Sequence, residues 1–214
     1  MVNIECKVKK GIIKMGKIKE LKVLATTKFL SLYNATYTNK KGQDNNWIIA
    51  SRKSVETLDK QYKGEIQVKN DAVVIVPFHE EEKKLVIIKQ FRVPLNDYVY
   101  ELPAGLIDEN EDDYSTVYRE LKEETGLTVN NIIEKDGVNQ LYLSPGMTDE
   151  SVSLIYCTCK GEICKEYLEA DEDIEAILIS REEAKKIIES KAKIDIKCYI
   201  ILENIIKYGE DFIY

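Results

Sequence analysis

One histidine, His79, stands among 214 residues, which excludes any mechanism built on two imidazoles. Proline and glycine are scarce, at 4 and 10 residues, so neither a collagen repeat nor a Pro/Gly-rich disordered chain fits. No run approaches the ~18 consecutive apolar residues of a membrane-spanning helix. The opening residues, MVNIECKVKKGIIKMGK, interrupt their apolar positions with lysine too often for a secretory signal. These absences predict a cytoplasmic protein with no membrane partner. The five cysteines are Cys6, Cys157, Cys159, Cys164 and Cys198. No two are spaced C-x-x-C, which excludes a zinc ribbon or a thioredoxin motif. Cys157 and Cys159 alternate within SVSLIYCTCK and read as two thiols on one strand face in a reducing compartment. His79 lies in FHEEEKK, which reads as a turn, and no role is assigned to it.

What the chain does have is 44% hydrophobic and 32% charged residues, enough to bury the core of one domain with a small appendage. Its net charge of -7 is unevenly placed. Residues 1–69 hold 15 Lys+Arg against 6 Asp+Glu, while residues 70–214 hold 16 against 32. This divides the chain into a basic, strand-rich leader over 1–69 and an acidic body over 70–214. The whole-chain charge disfavours nucleic acid as a partner.

The pattern alternates strands and helices. FLSLYNATYTN (29–39) and NWIIASRKS (46–54) flank a turn-rich stretch and read as a hairpin. DAVVIVPF (71–78) and KLVIIKQF (84–91) read as a second hairpin of buried strands. YVYELPAG (98–105) is a short strand, and SVSLIYCTCKGE (151–162) and IEAILIS (174–180) are two more. DDYSTVYRELKEET (112–125) reads as a helix stopped by Gly126, with Tyr114, Val117 and Leu121 forming its buried stripe. Ser180 with Glu183 three residues on opens another helix, and 195–208 is the last. The expected class is α/β or α+β with a mixed sheet.

The chemistry concentrates in GLIDENEDDYSTVYRELKEETGL (105–127). Glu120 and Glu124 are one helical turn apart, with Glu123 beside them, so like charges crowd one patch and repel. Carboxylate oxygens are the ligands a hard divalent cation such as Mg²⁺ prefers, and its arrival would relieve that repulsion. A solvated acidic face is the alternative. The order Gly105, Glu111, Arg119-Glu120-Leu121, Glu123-Glu124 and Gly126-Leu127 resembles the complete Nudix box. With each fixed residue type at about 7% usage, the chance of its seven fixed positions matching at one start is on the order of 1 in 10⁸. Asn110, Thr116 and Val117 depart from the commonest form at packing positions.

The resemblance covers roughly residues 45–185 and is sharpest from 90 to 127. It implies an α/β/α sandwich with a mixed sheet, and hydrolysis of a nucleoside diphosphate linked to another group with Mg²⁺ or Mn²⁺. It implies Glu120, Glu124 and the carbonyl of Ala104 as metal ligands, with Glu123 nearby and Arg119 holding the acidic cluster. Glu111 would anchor the loop before the helix. QFRVPLNDYVYELPAGLIDEN (90–110), SPGMTDE (144–150) and LEADEDIEAI (168–177) resemble the corresponding segments of ADP-ribose pyrophosphatases. That likeness implies Glu172, or else Glu169, as the base for the attacking water. It further implies Trp47, Arg52, Arg92 and Glu101 as substrate contacts, and a leader exchanged within a homodimer. ADP-ribose is the expected substrate; GDP-mannose, ADP-glucose or a non-catalytic nucleotide sensor are the alternatives.

Overall fold

Side-chain alternation along one strand organises the body of the protein. In a computed structural model that describes residues 18–133, 140–170 and 172–213, strand β4 (Ala72–His79) is buried along its whole length. Val73 and Ile75 point to one face of a sheet, while Ala72, Val74, Val76 and Phe78 point to the other. A strand apolar on both faces needs a helical layer on each side. Helix α2 (Asp113–Thr125) supplies one layer through Val117 and Leu121. Helices α3 (Arg181–Glu189) and α4 (Ile196–Tyr208) supply the other through Ala184, Cys198, Ile201, Leu202 and Ile205. The result is the expected α/β/α sandwich. Each fully buried Val or Leu of α2 stabilises this packing by about 1.5–3 kcal/mol.

Among the described residues the sheet has eight strands. Its main order is β11 (Ile174–Ile179), β5 (Lys84–Arg92), β4, β10 (Ser151–Lys160) and β8 (Thr128–Ile133). Strands β6 (Asp97–Glu101), β7 (Ala104–Leu106) and β9 (Leu141–Tyr142) pair with β5, β4 and β10 respectively. The sheet is mixed because β10 runs parallel to β4 and antiparallel to β8. The hairpin read over 71–91 is real only at its tip, where Phe78 faces Leu85 and His79 faces Lys84. Beyond the tip, β4 pairs with β7 while β5 pairs with β6 and β11.

Residues 18–69 form a second compact unit together with Ser144–Glu150. Strands β1 (Ile18–Thr26), β2 (Ser31–Thr38) and β3 (Asp44–Ser51) make an antiparallel sheet, followed by helix α1 (Val55–Tyr62). Ser54 caps α1 by accepting from the Thr57 amide, and Leu58 is its buried anchor. The segment 144–150 belongs with the leader in this grouping. Ala50 donates its amide to Met147, and Lys53 pairs with Asp149 at 2.9 Å.

Two expectations are corrected. Tyr114 is 47% exposed, so the buried stripe of α2 starts at Val117. His79 ends strand β4 and is buried, where Nε2 meets the Gly161 carbonyl at 2.9 Å and Nδ1 accepts from the Glu82 amide. Cys157, Cys159 and Cys198 are buried free thiols, and burial pushes the Cys198 and Cys159 thiols up to about 12. Cys6 and the lysine-rich opening lie outside the described residues.

Candidate active site

Helix α2 is held at both ends, and this fixes where its glutamates stand. At its start, Asp112 accepts from the Ser115 amide at 2.8 Å while the Ser115 hydroxyl accepts from the Asp112 amide at 2.9 Å. At its end, Gly126 takes a left-handed backbone (φ +78°) and the buried Leu127 follows at once. The stop falls two residues after Glu124. Leu121 and Val117 face the sheet, and the adjoining face turns Glu120 and Glu124 toward strand β7.

Strand β7 is shaped to receive them. The Ala104 amide donates to Glu124 Oε2 at 3.0 Å. At Gly105 an added Cβ would lie 1.8 Å from the Glu120 carboxylate, so the absence of a side chain lets that carboxylate lie against the backbone. Both acids are buried, Glu120 at 8% and Glu124 at 4% exposure.

Burial sets the electrostatics. It raises the Glu120 carboxyl above its ordinary range, against the hydrogen bond and charge of Arg119, while Glu123 and Glu172 push it higher. Glu124 is raised well above its ordinary value, first by burial and then by Glu120, with Glu172 adding to it. The Ala104 amide and the Arg92 charge oppose this without cancelling it. Glu172 comes from the loop before β11, so acids from two separate elements share one field. Its own carboxylate accepts from the Glu169 amide at 2.9 Å. Of the two acids considered in that loop, Glu172 is half-buried and its charge reaches Glu120 and Glu124, whereas Glu169 is exposed.

Arg119 is the hub beside them. It donates from Nε and Nη2 to the two oxygens of Glu111 at 2.9 and 2.7 Å, and from Nη2 to the Leu106 carbonyl at 3.0 Å. Nη1 bridges Glu120 at 2.6 Å and Glu123 at 3.0 Å. The fork holds the Glu111 carboxyl down at about 2, helped by the Thr116 hydroxyl and opposed by partial burial. Arg92 donates to both oxygens of Glu101, and its charge reaches Glu124 and Asp195. Two of the expected substrate contacts, Arg92 and Glu101, are therefore paired with each other.

The donor set fits a hard cation: oxygen-only, buried, and mutually repelling. Among the described residues no three Asp, Glu, His or Cys side chains close into a ready-made cage. Mg²⁺ does not require one, since it is commonly held by one or two carboxylates together with substrate phosphates and water.

Nine of the sequence-derived positions thus belong to the sandwich: Arg92, Glu101, Ala104, Glu111, Arg119, Glu120, Glu123, Glu124 and Glu172. Trp47 and Arg52 belong to the leader unit. There Trp47 donates from Nε1 to the Gly146 carbonyl at 3.1 Å, and Arg52 pairs with Glu150 at 2.9 Å. The anchoring of the Glu172 turn was not anticipated. Asp173 accepts from the Phe91 amide through its carbonyl and from the Tyr98 hydroxyl through its side chain. Its partner Tyr98 lies 75 positions away and Phe91 farther still, and no local pattern announces them.

Comparison with known proteins bears on the family and the fold. A family model described as NUDIX domain matches residues 68–198. The chain is 36% identical over 132 residues to the ADP-ribose pyrophosphatase of Bacillus subtilis (strain 168), spanning 61% of this chain and 69% of that one. It is 32% identical over 139 residues to the methanol dehydrogenase activator of Bacillus methanolicus, spanning 64% and 72%. A crystal structure of an ADP compounds hydrolase superposes with a TM-score of 0.66 at 17% identity, covering 94% of this chain and 98% of that chain. At that identity the likeness is one of fold.

Proposed function

The chain belongs to the Nudix family as a pyrophosphatase-type hydrolase, and from that premise we propose that it cleaves the pyrophosphate of a nucleoside diphosphate sugar with Mg²⁺, ADP-ribose being the substrate and AMP and ribose 5-phosphate the products. One observation carries the reading: Glu120 and Glu124 are buried side by side against β7, and the charge of the half-buried Glu172, from a distant loop, reaches both.

Glu120, Glu124 and the Ala104 carbonyl would hold the cation, Mg²⁺ or Mn²⁺. When bound it would offset charge growing on the pyrophosphate oxygens and acidify the attacking water. Glu172 accepts the proton of that water. Arg119, anchored on Glu111, keeps Glu120 and Glu123 in place when the cation is absent. Arg92 and Glu101 contact the diphosphate-ribose portion, with Arg92 exchanging part of its Glu101 pairing for phosphate oxygens. Trp47 offers an exposed ring for the base and Arg52 a nearby cation.

Two further parts of the reading concern the whole protein. The leader pairs with a second copy. Val23, Leu24, Leu32, Trp47 and Ile48 are exposed on its three-stranded sheet, apolar side chains that a second copy would cover. Light scattering that reports a monomer at micromolar concentration would remove this part. The free thiols at Cys157, Cys159, Cys164 and Cys198 suit the cytoplasm.

The test is product formation from ADP-ribose, ADP-glucose and GDP-mannose with Mg²⁺, Mn²⁺ or EDTA. Metal-dependent AMP release, fastest from ADP-ribose, is the expected result. Preference for another sugar nucleotide would keep the chemistry and discard the substrate. Tight binding without turnover would discard both.

A further inference from the structure

The loop that carries Glu172 leaves β10 at Gly161 and is fastened to the far end of α2. The Cys164 amide donates to the Thr125 carbonyl at 3.1 Å. Gly126 is packed so closely that an added Cβ would sit 2.5 Å from Cys164 Sγ and 2.7 Å from its backbone nitrogen. Next to this contact, Lys122 donates from Nζ to the Gly126 carbonyl at 2.7 Å. The same ammonium lies 4.4 Å from the centre of the Tyr167 ring. One lysine therefore closes the C-terminal turn of α2 and grips the loop by an aromatic face. Lys122 is on the same helix as Glu120 and Glu124, so the fastening shares a rigid element with the acids that the Glu172 charge reaches.

We infer that Lys122 is a positioning residue for the proposed reaction: with Tyr167 it docks the 161–170 loop on α2 and so holds Glu172 at the Glu120–Glu124 pair. This rests on the reading of Glu172 as the base. Lys122 touches neither the reacting atoms nor the cation. A bare surface lysine would leave turnover unchanged when replaced. A docking lysine transmits its loss to Glu172.

The experiment uses the full chain with Cys6→Ser, in which Cys164 is the partly exposed thiol and Cys157, Cys159 and Cys198 are buried. Lys122→Met, Lys122→Arg and Tyr167→Leu are made in this background, each also with Glu172→Gln. Reaction of Cys164 with a disulfide reagent reads docking, and kcat, KM and the Mg²⁺ activation midpoint read positioning. Loss of the cation–ring contact in Lys122→Met and Tyr167→Leu should speed Cys164 modification by about threefold or more. In both, kcat should fall while KM and the Mg²⁺ midpoint stay near the parent, and Lys122→Arg should restore both rates. With Glu172→Gln already present, Lys122→Met should lower kcat no further, because the two residues act through one group. Unchanged Cys164 reactivity overturns the docking. Faster modification with an undiminished kcat, or additive losses in the double variant, overturns the positioning. A Glu172→Gln parent with full turnover overturns the base reading instead, and the thiol rates identify that case.

Discussion

Arg92 and Glu101 are joined by two hydrogen bonds, Nε to Oε1 at 2.6 Å and Nη2 to Oε2 at 2.7 Å. The pair ties the end of β5 to the end of β6, beside the strand that receives Glu124. A guanidinium can share its fork between this carboxylate and a phosphate; an ammonium cannot. Arg92→Lys should therefore raise KM for the nucleotide sugar by about tenfold or more, the scale of one charge-assisted hydrogen bond, with a smaller change in kcat. Initial-rate kinetics on the preferred substrate checks this, and an unaltered KM would place Arg92 outside the substrate contacts.

Gly105 gives a sharper test of the metal site. An added methyl must displace the Glu120 carboxylate, which is the far end of a flexible side chain. Gly105→Ala is expected to keep its melting temperature within a few degrees while Mg²⁺ binding weakens. Turnover should drop by roughly 10²-fold, the loss that follows one strong electrostatic stabiliser. Calorimetric titration with Mg²⁺ separates this from simple misfolding.

Glu124 sets function against stability. A buried carboxylate beside two others is costly in the metal-free protein. Glu124→Gln keeps the shape and an acceptor for the Ala104 amide while removing the charge. Turnover should fall at least ~10²-fold, and the metal-free protein should melt about 2–4 °C higher, the equivalent of 1 kcal/mol in a chain of this size. Thermal melts in EDTA, with and without the substitution, decide it.

How much of this was legible in the sequence differs from element to element. Helix α2 could be read because Val117, Leu121 and Gly126 are local signals. Tyr114 shares their periodicity, yet it is exposed, and the first turn meets the sheet instead through Asp113, which accepts from the Ser153 hydroxyl of β10. Helix α1 is short, and its single buried anchor, Leu58, makes no visible stripe. His79 read as a turn because of the acids after it; its buried site is made by Gly161, 82 positions on. The grouping of 144–150 with the leader depends on the Arg52–Glu150 and Lys53–Asp149 pairs, which no local pattern announces. Glu172 was favoured over Glu169 by motif likeness, and burial supplies the physical distinction.

Glu111 gives a pH prediction. Its folded pKa, about 2, lies below the ordinary carboxylate value, so the native state binds fewer protons than the unfolded chain. The stabilisation is fully present above the unfolded pKa and is lost as pH falls toward about 2. Glu111→Gln should be less stable than the parent at pH 7 by about 1–2 kcal/mol, the scale of a charge-assisted bond. That difference should shrink between roughly pH 4 and 2. Urea denaturation across that range measures it, and a gap that persists at low pH would assign the loss to something other than ionisation.

The parallel pairing of β4 with β10 has a consequence for biosynthesis. At its foot the Ser151 amide donates to the Asp71 carboxylate, 80 positions earlier in the chain. During synthesis α2 and every glutamate it carries emerge well before the strand that completes the floor beneath them. Until residue 151 and its successors follow, β4 has an open, apolar edge able to pair with any extended segment nearby. The β4–β10 pairing at the centre of the sheet joins segments some 80 positions apart, a separation that slows its closure. A chain that stops short of β10 would contain the whole Nudix box and still leave the apolar edge of β4 uncovered.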